Sequence, residues 1–225
     1  MRTVFLNALT AVALCSAMLS CHEKPTIGDI DPDAEPTSCQ IKTKQIFSSP
    51  VLGKYVRYNI ILPPKWDKDD TSTKYPIIYL LHGAGMTDEL AATEYCGWVD
   101  KTQLGRKTFD AIKAKRIDEC IIVTPQAWNS FYMNWSMPYE TFFFDEFMPY
   151  IEKEYHAISD RKARAVAGLS MGGFGSFYYG YGHNDLFCYV YTMSMADGTG
   201  LLEGITTGKS KDDLPFLSIA AGTND

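Results

Sequence analysis

Apolar and polar residues follow two different rhythms along this chain. Residues 40–49 (QIKTKQIFSS) and 54–64 (KYVRYNIILPP) alternate apolar with polar positions, the period of antiparallel strands at a sheet edge. Residues 75–85 (YPIIYLLHGAG) instead stay apolar until they meet glycines, as a strand buried on both faces does. A Lys- and Asp-rich turn at 65–74 separates these last two strands. Beyond them, helix and strand patterns take turns. An amphipathic helix is predicted over 102–116. A longer one covers 140–156, with Phe144, Phe147, Met148, Ile151 and Tyr155 on one face and a local kink at Pro149. Buried strands are predicted at 119–127, 163–170, 186–196 and 214–222, and a further helix at 171–182. This alternation specifies an α/β fold: a mostly parallel central sheet with helices on both faces.

One strand-to-helix junction carries chemistry. Gly168-Leu169-Ser170-Met171-Gly172 has the form G-x-S-x-G. A serine presented on a tight turn needs neighbours without side chains, and Gly168, Gly172 and Gly173 supply that room. Ser170 is therefore the candidate nucleophile. The plainer alternative is a glycine-rich turn with an incidental serine. The strand at 75–85 ends in His82-Gly83-Ala84-Gly85. In an α/β-hydrolase such a loop gives one backbone N–H to an oxyanion hole, and the residue after the nucleophile gives the other. The candidate donors are Met171 and Ala84, with Gly83 beside it; His82 is read as a structural histidine rather than a base.

Composition narrows the function classes. The chain has 225 residues, 46% of them hydrophobic, which suits one domain with one sizeable core. Its net charge is −6 and its Lys and Arg are scattered, so no basic stripe marks a nucleic-acid or anionic-membrane surface. Residues 1–20 read as a signal peptide: Arg2, an apolar run over 4–19, then small residues. Leu19-Ser20-Cys21 is similar to a bacterial lipobox, in which Cys21 becomes the lipidated first residue, although Met18 departs from that pattern. Simple secretion with cleavage nearby is the alternative. Either way the expected location is outside the bacterial cytoplasm: secreted, periplasmic or on the outer surface as a lipoprotein, touching membrane only through a lipid anchor. Residues 21–38, with prolines and many acids, read as a flexible tether, and 39–225 as the folded domain. Cys39, Cys96, Cys120 and Cys188 fit no zinc spacing and no C-x-x-C; a disulfide and separate buried thiols both remain open.

Four blocks taken in order, HGAG, TPQAWNSFYMNW, YETFFFDEFMPYIEKEY and AVAGLSMGGFGSFYY, resemble the esterase D and feruloyl-esterase group of α/β-hydrolases, similar to carbohydrate esterase family 1. The resemblance runs from about Gln40 to Asp225; MSMADG, 193–198, departs from it. It implies an α/β-hydrolase fold and a triad in the order Ser, acid, His. The ending Gly222-Thr223-Asn224-Asp225 maps the triad acid onto Asp225, with Asp197 as the runner-up, and places the histidine after Asp225. The chain thus reads as a family member that stops before its last strand, last helix and catalytic histidine. The histidines present do not replace it. His22 sits in the tether. His183 and His156 end helices that lead about 18 Å and about 25 Å away from the nucleophile, and are read as solvated or helix-capping.

Aromatic residues crowd the expected active edge: Trp98, Trp128, Phe131, Tyr132 and Trp135. Flat amphipathic rings suit a phenolic acyl group or a sugar; loop packing is the other use for them. Tyr132, Asn134, Trp135 and Trp98 are the candidate substrate contacts. The resemblance and the export signal together imply a serine carboxylic-ester hydrolase forming an acyl-enzyme on Ser170. Feruloyl or acetyl esters of plant cell-wall xylan are its first expected substrates. A lipase-like or siderophore-ester hydrolase is the rival within the enzymes. The rival outside them is an inert, truncated glycan-binding surface lipoprotein. No metal and no organic cofactor is implied, the partner is a small-molecule or polysaccharide ester, and the oligomeric state stays open.

Overall fold

The computed structural model describes residues 35–85, 98–99, 102–196, 200 and 202–222. Its strands are β1 (Gln40–Ser49), β2 (Lys54–Leu62), β3 (Ile77–Leu81), β4 (Ile121–Pro125), β5 (Arg164–Leu169), β6 (Tyr189–Met193) and β7 (Phe216–Ala220). They form one sheet in the order β1-β2-β4-β3-β5-β6-β7. The alternating segments, β1 and β2, pair antiparallel, and β2 meets β4 the same way. From β4 onward every pairing is parallel. The continuous apolar runs of β3 and β4 are buried at every position, as parallel strands covered on both faces require.

Alternate residues of these strands feed two cores. Tyr79, Leu81, Val123, Val166 and Val190 face one side, packed against α2 (Tyr139–Phe142), α3 (Met148–Glu154) and α4 (Met171–Gly182) through Phe142, Phe147, Ile151 and Tyr179. Ile78, Leu80, Ile122, Ala165 and Ala167 face the other, against Leu104 and Ala111 of α1 (Leu104–Lys113). The expected fold, a mostly parallel sheet with helices on both faces, is the observed one.

Two predicted elements differ. The helix expected over 140–156 is α2 and α3 joined by a π-helical turn, Phe143–Phe147. Pro149 has no N–H to donate, and its ring crowds the carbonyl four residues back. A wider turn just before it absorbs both problems and re-phases the helix, so Phe142 and Phe143 join the core while Phe144 is half-exposed. The strand read as buried at 214–222 is an edge instead: among the described strands β7 pairs only with β6, and Phe216 and Ile219 are exposed. An apolar run shows that a strand can be buried; whether it is depends on what lies beside it.

At the N-terminal ends of the parallel strands, polar groups saturate one another. Arg164 donates from Nε and Nη2 to the two Glu152 carboxylate oxygens at 2.5 and 2.9 Å. Tyr79 donates its hydroxyl to the same carboxylate at 3.1 Å. All three side chains are buried. Cys39 and Cys120 are separate buried thiols, each pushed up to about 12 by burial; Cys96 lies outside the described residues.

Candidate active site

Ser170 occupies the turn between β5 and α4 at φ 56° and ψ −116°, a backbone state that costs an L-residue roughly 1–3 kcal/mol. Three backbone hydrogen bonds hold it there. Its N–H donates to Met193 at 2.9 Å, and its carbonyl accepts from Phe174 at 3.0 Å and Ala196 at 3.1 Å. Glycines make the turn sterically possible. A Cβ on Gly168 would stand 2.2 Å from the Gly172 carbonyl oxygen, and one on Gly172 would stand 2.3 Å from that of Leu81. Both approaches are to backbone, which cannot step aside.

The structure brings the HGAG loop to this turn. A Cβ on Gly83 would lie 3.4 Å from the Ser170 Cβ and 4.0 Å from its Oγ. Gly83 and Ala84 therefore run beside the hydroxyl, and Met171 opens α4 directly after it, where a helix's first amides have no acceptor within the helix. The Gly85 amide donates to Asn129 Oδ1 at 2.9 Å, fastening the HGAG loop to the loop after β4. Asn129 escaped the sequence reading, because a lone asparagine in a loop gives no signal of its partner.

His82 is structural. Its Nε2 accepts from the Ala127 amide at 2.8 Å, so that nitrogen carries no proton, and Nδ1–H donates to the Gly83 carbonyl at 2.7 Å. Burial drives its pKa down to about 4, against the smaller opposing pull of the Gly83 hydrogen bond. A neutral ring with both nitrogens engaged braces the loop and has no lone pair left for Ser170. The other described histidines are elsewhere. His183 is not solvated as expected: Nε2 meets Glu140 Oε1 at 2.8 Å and its ring lies 4.0 Å from that of Phe144. His156 does take a capping place, with φ 58° in the left-handed position after α3, where Ala157 N–H reaches back to the Glu152 carbonyl. No described histidine hydrogen-bonds to Ser170.

The expected substrate contacts divide. Tyr132 is corrected: it is fully buried, donates its hydroxyl to the His82 carbonyl at 2.9 Å, and lies so flat on Gly175 that a Cβ there would be 2.4 Å from its ring. Trp98 is corrected as well. It is buried in the α1-side core, so neither ring face is open to a ligand. Asn134 is exposed, but its amide is engaged with Thr141, accepting from the backbone N–H at 3.1 Å and donating to Oγ1 at 3.0 Å, which braces the start of α2. Trp135 is exposed, its ring 6.1 Å from Phe131, which in turn lies 5.9 Å from Phe174. Asp225, Asp197 and Cys21 lie outside the described residues.

Comparison with known proteins agrees with this architecture. The Esterase family model, described as "Putative esterase", matches residues 49–210. An esterase of Mycobacterium tuberculosis is 31% identical over 147 residues, 61% of this chain and 29% of that protein. The chain thus spans only 29% of the length of that curated relative. A solved ferulic acid esterase superposes with a TM-score of 0.60 at 37% identity, over 71% of this chain and 61% of that one. A CE1 ferulic acid esterase from Anaeromyces mucronatus, solved in complex with ferulic acid, gives 0.56 at 28% identity, over 78% and 67%. With the family model covering most of its folded part, the chain belongs to the Esterase family, and its fold is that of the α/β-hydrolase esterases.

Proposed function

We propose that this protein is a serine carboxylic-ester hydrolase whose nucleophile is Ser170. The observation that carries the reading is the strained Ser170 turn facing Gly83, with the Met171 amide at the start of α4. In this reading Ser170 Oγ attacks the ester carbonyl carbon and gives up its proton to a base. The carbonyl oxygen becomes an oxyanion held by the amides of Met171 and Ala84, or of Gly83. Collapse expels the alcohol, which takes the proton back, and water then repeats the attack to release the acid. Asp225, or failing it Asp197, is the acid that would orient a histidine base. That base is none of His82, His156 and His183, for the reasons given above.

Feruloyl or acetyl esters of cell-wall xylan are the proposed substrates, supported by the ferulic acid esterases this chain resembles in fold and sequence. Trp135, exposed and backed by Phe131, is the proposed ring for stacking. Export and lipidation at Cys21 belong to the same reading, resting on Arg2 and the apolar run before that cysteine. The test is a fluorophosphonate probe followed by mass spectrometry of wild type and Ser170→Ala. Adduct on Ser170, lost in the variant, is the expected result. A folded chain that takes up no probe would leave Ser170 without an activating base and favour the glycan-binding rival.

A further inference from the structure

The Ser170 turn is flanked by exposed apolar side chains of two different chemistries. On the α4 side stand the rings of Phe131 and Trp135. The other surface is aliphatic. Along β5, Ala165 and Ala167 belong to the α1-side core, and Leu169 continues that face past the end of the core, where it is 40% exposed. Its register partner Met193 packs against the same core. Met195, two residues on, is 39% exposed, and its Cβ would be 3.3 Å from a Cβ on Gly173 in the first turn of α4. The backbone ties this strip to the serine at both ends, through Met193 and Ala196.

Large apolar side chains left open immediately beside a reactive turn have no packing role in the fold described here. A Leu and a Met offer no strong donor or acceptor. A hydroxylated group laid on them would lose its hydrogen bonds to water and gain none, whereas a hydrocarbon arm loses nothing and buries apolar area. We propose that Leu169 and Met195 form the surface that receives the acyl arm of the ester, and that they select a hydrocarbon arm, alkyl or aryl-alkenyl, over a hydroxylated one. This assignment rests on the ester-hydrolase reading of Ser170 and makes Leu169 and Met195 its specificity-determining residues.

The test measures binding, so it does not depend on turnover. Cinnamate, the free acid of such an arm, is titrated by calorimetry into wild type, Leu169→Asn and Met195→Gln, with thermal midpoints checking that each variant is folded. Cinnamate affinity is expected to fall at least about fivefold in each polar variant. It should stay unchanged in Trp135→Ala. Wild type that does not saturate, or polar variants that bind cinnamate as wild type does, would overturn the proposal. Fluorophosphonate labelling of the same wild-type sample separates the two readings. An unreactive Ser170 with Leu169-dependent cinnamate binding sinks the hydrolase reading and leaves this surface standing. A reactive Ser170 with indifferent variants sinks the surface alone.

Discussion

At the N-terminal ends of β3 and β5, Glu152, Arg164 and Tyr79 bury two opposite charges that neutralise each other. At the C-terminal ends of the same strands, His82 is buried as a neutral ring, Ser170 is held in a strained backbone, and amides point outward without partners within their helix. One end spends its polar atoms on itself. The other keeps the charge low and the donors available, which is what a site meant to stabilise charge arising during a reaction requires. The same two strands thus serve stability at one end and chemistry at the other.

The comparison breaks most sharply at Glu152. Replacing it by Ala strands the Arg164 guanidinium in the core and should cost about 3–5 kcal/mol, read as a lower urea midpoint. A loss under about 1 kcal/mol would mean that the pair is solvated and the two ends are alike. Next in size is a pH effect at the other end. His82 has a folded pKa of about 4, below its unfolded value, so the unfolded chain binds the extra proton between about pH 6.5 and 4. Stability should therefore be intact above that window and fall by up to about 3 kcal/mol as pH drops through it. Unfolding curves of wild type and His82→Gln at pH 7 and 5 check this: the variant should lose less on acidification, and parallel losses would clear His82 of the role. The smallest effect sharpens the contrast. Ser170→Gly relieves the positive φ and should raise stability by about 1 kcal/mol while abolishing probe labelling. A destabilised variant would show that the turn is relaxed.

Most of the fold was legible because strand burial writes itself as unbroken apolar runs, as in Ile77–Leu81 and Ile121–Pro125. The Ser170 turn was legible because steric need forces glycine at fixed offsets, and the Gly168 and Gly172 contacts bear that out. Tyr132 misled because an aromatic in a loop looks the same whether it faces a ligand or packs on a distant glycine, here Gly175. Glu152 and Arg164, twelve residues apart and each an ordinary surface residue by type, announce their pairing only once the helix and strand are set side by side. The exposure of β7 depends on its neighbours rather than on its own residues.

The π-helical turn at Phe143–Phe147 has a bearing on how this helix tolerates change in length. Because each residue advances an α-helix by about 100°, the wider turn sets the angular phase between α2 and α3. Deleting a single residue within FFFDEF would restore a regular ladder, rotate α3 by about that angle, and swing Glu152 away from Arg164 together with Ile151 from the core. A point substitution in this segment is a local event, but a one-residue indel works like slipping one tooth on a gear, and disengages everything downstream of it.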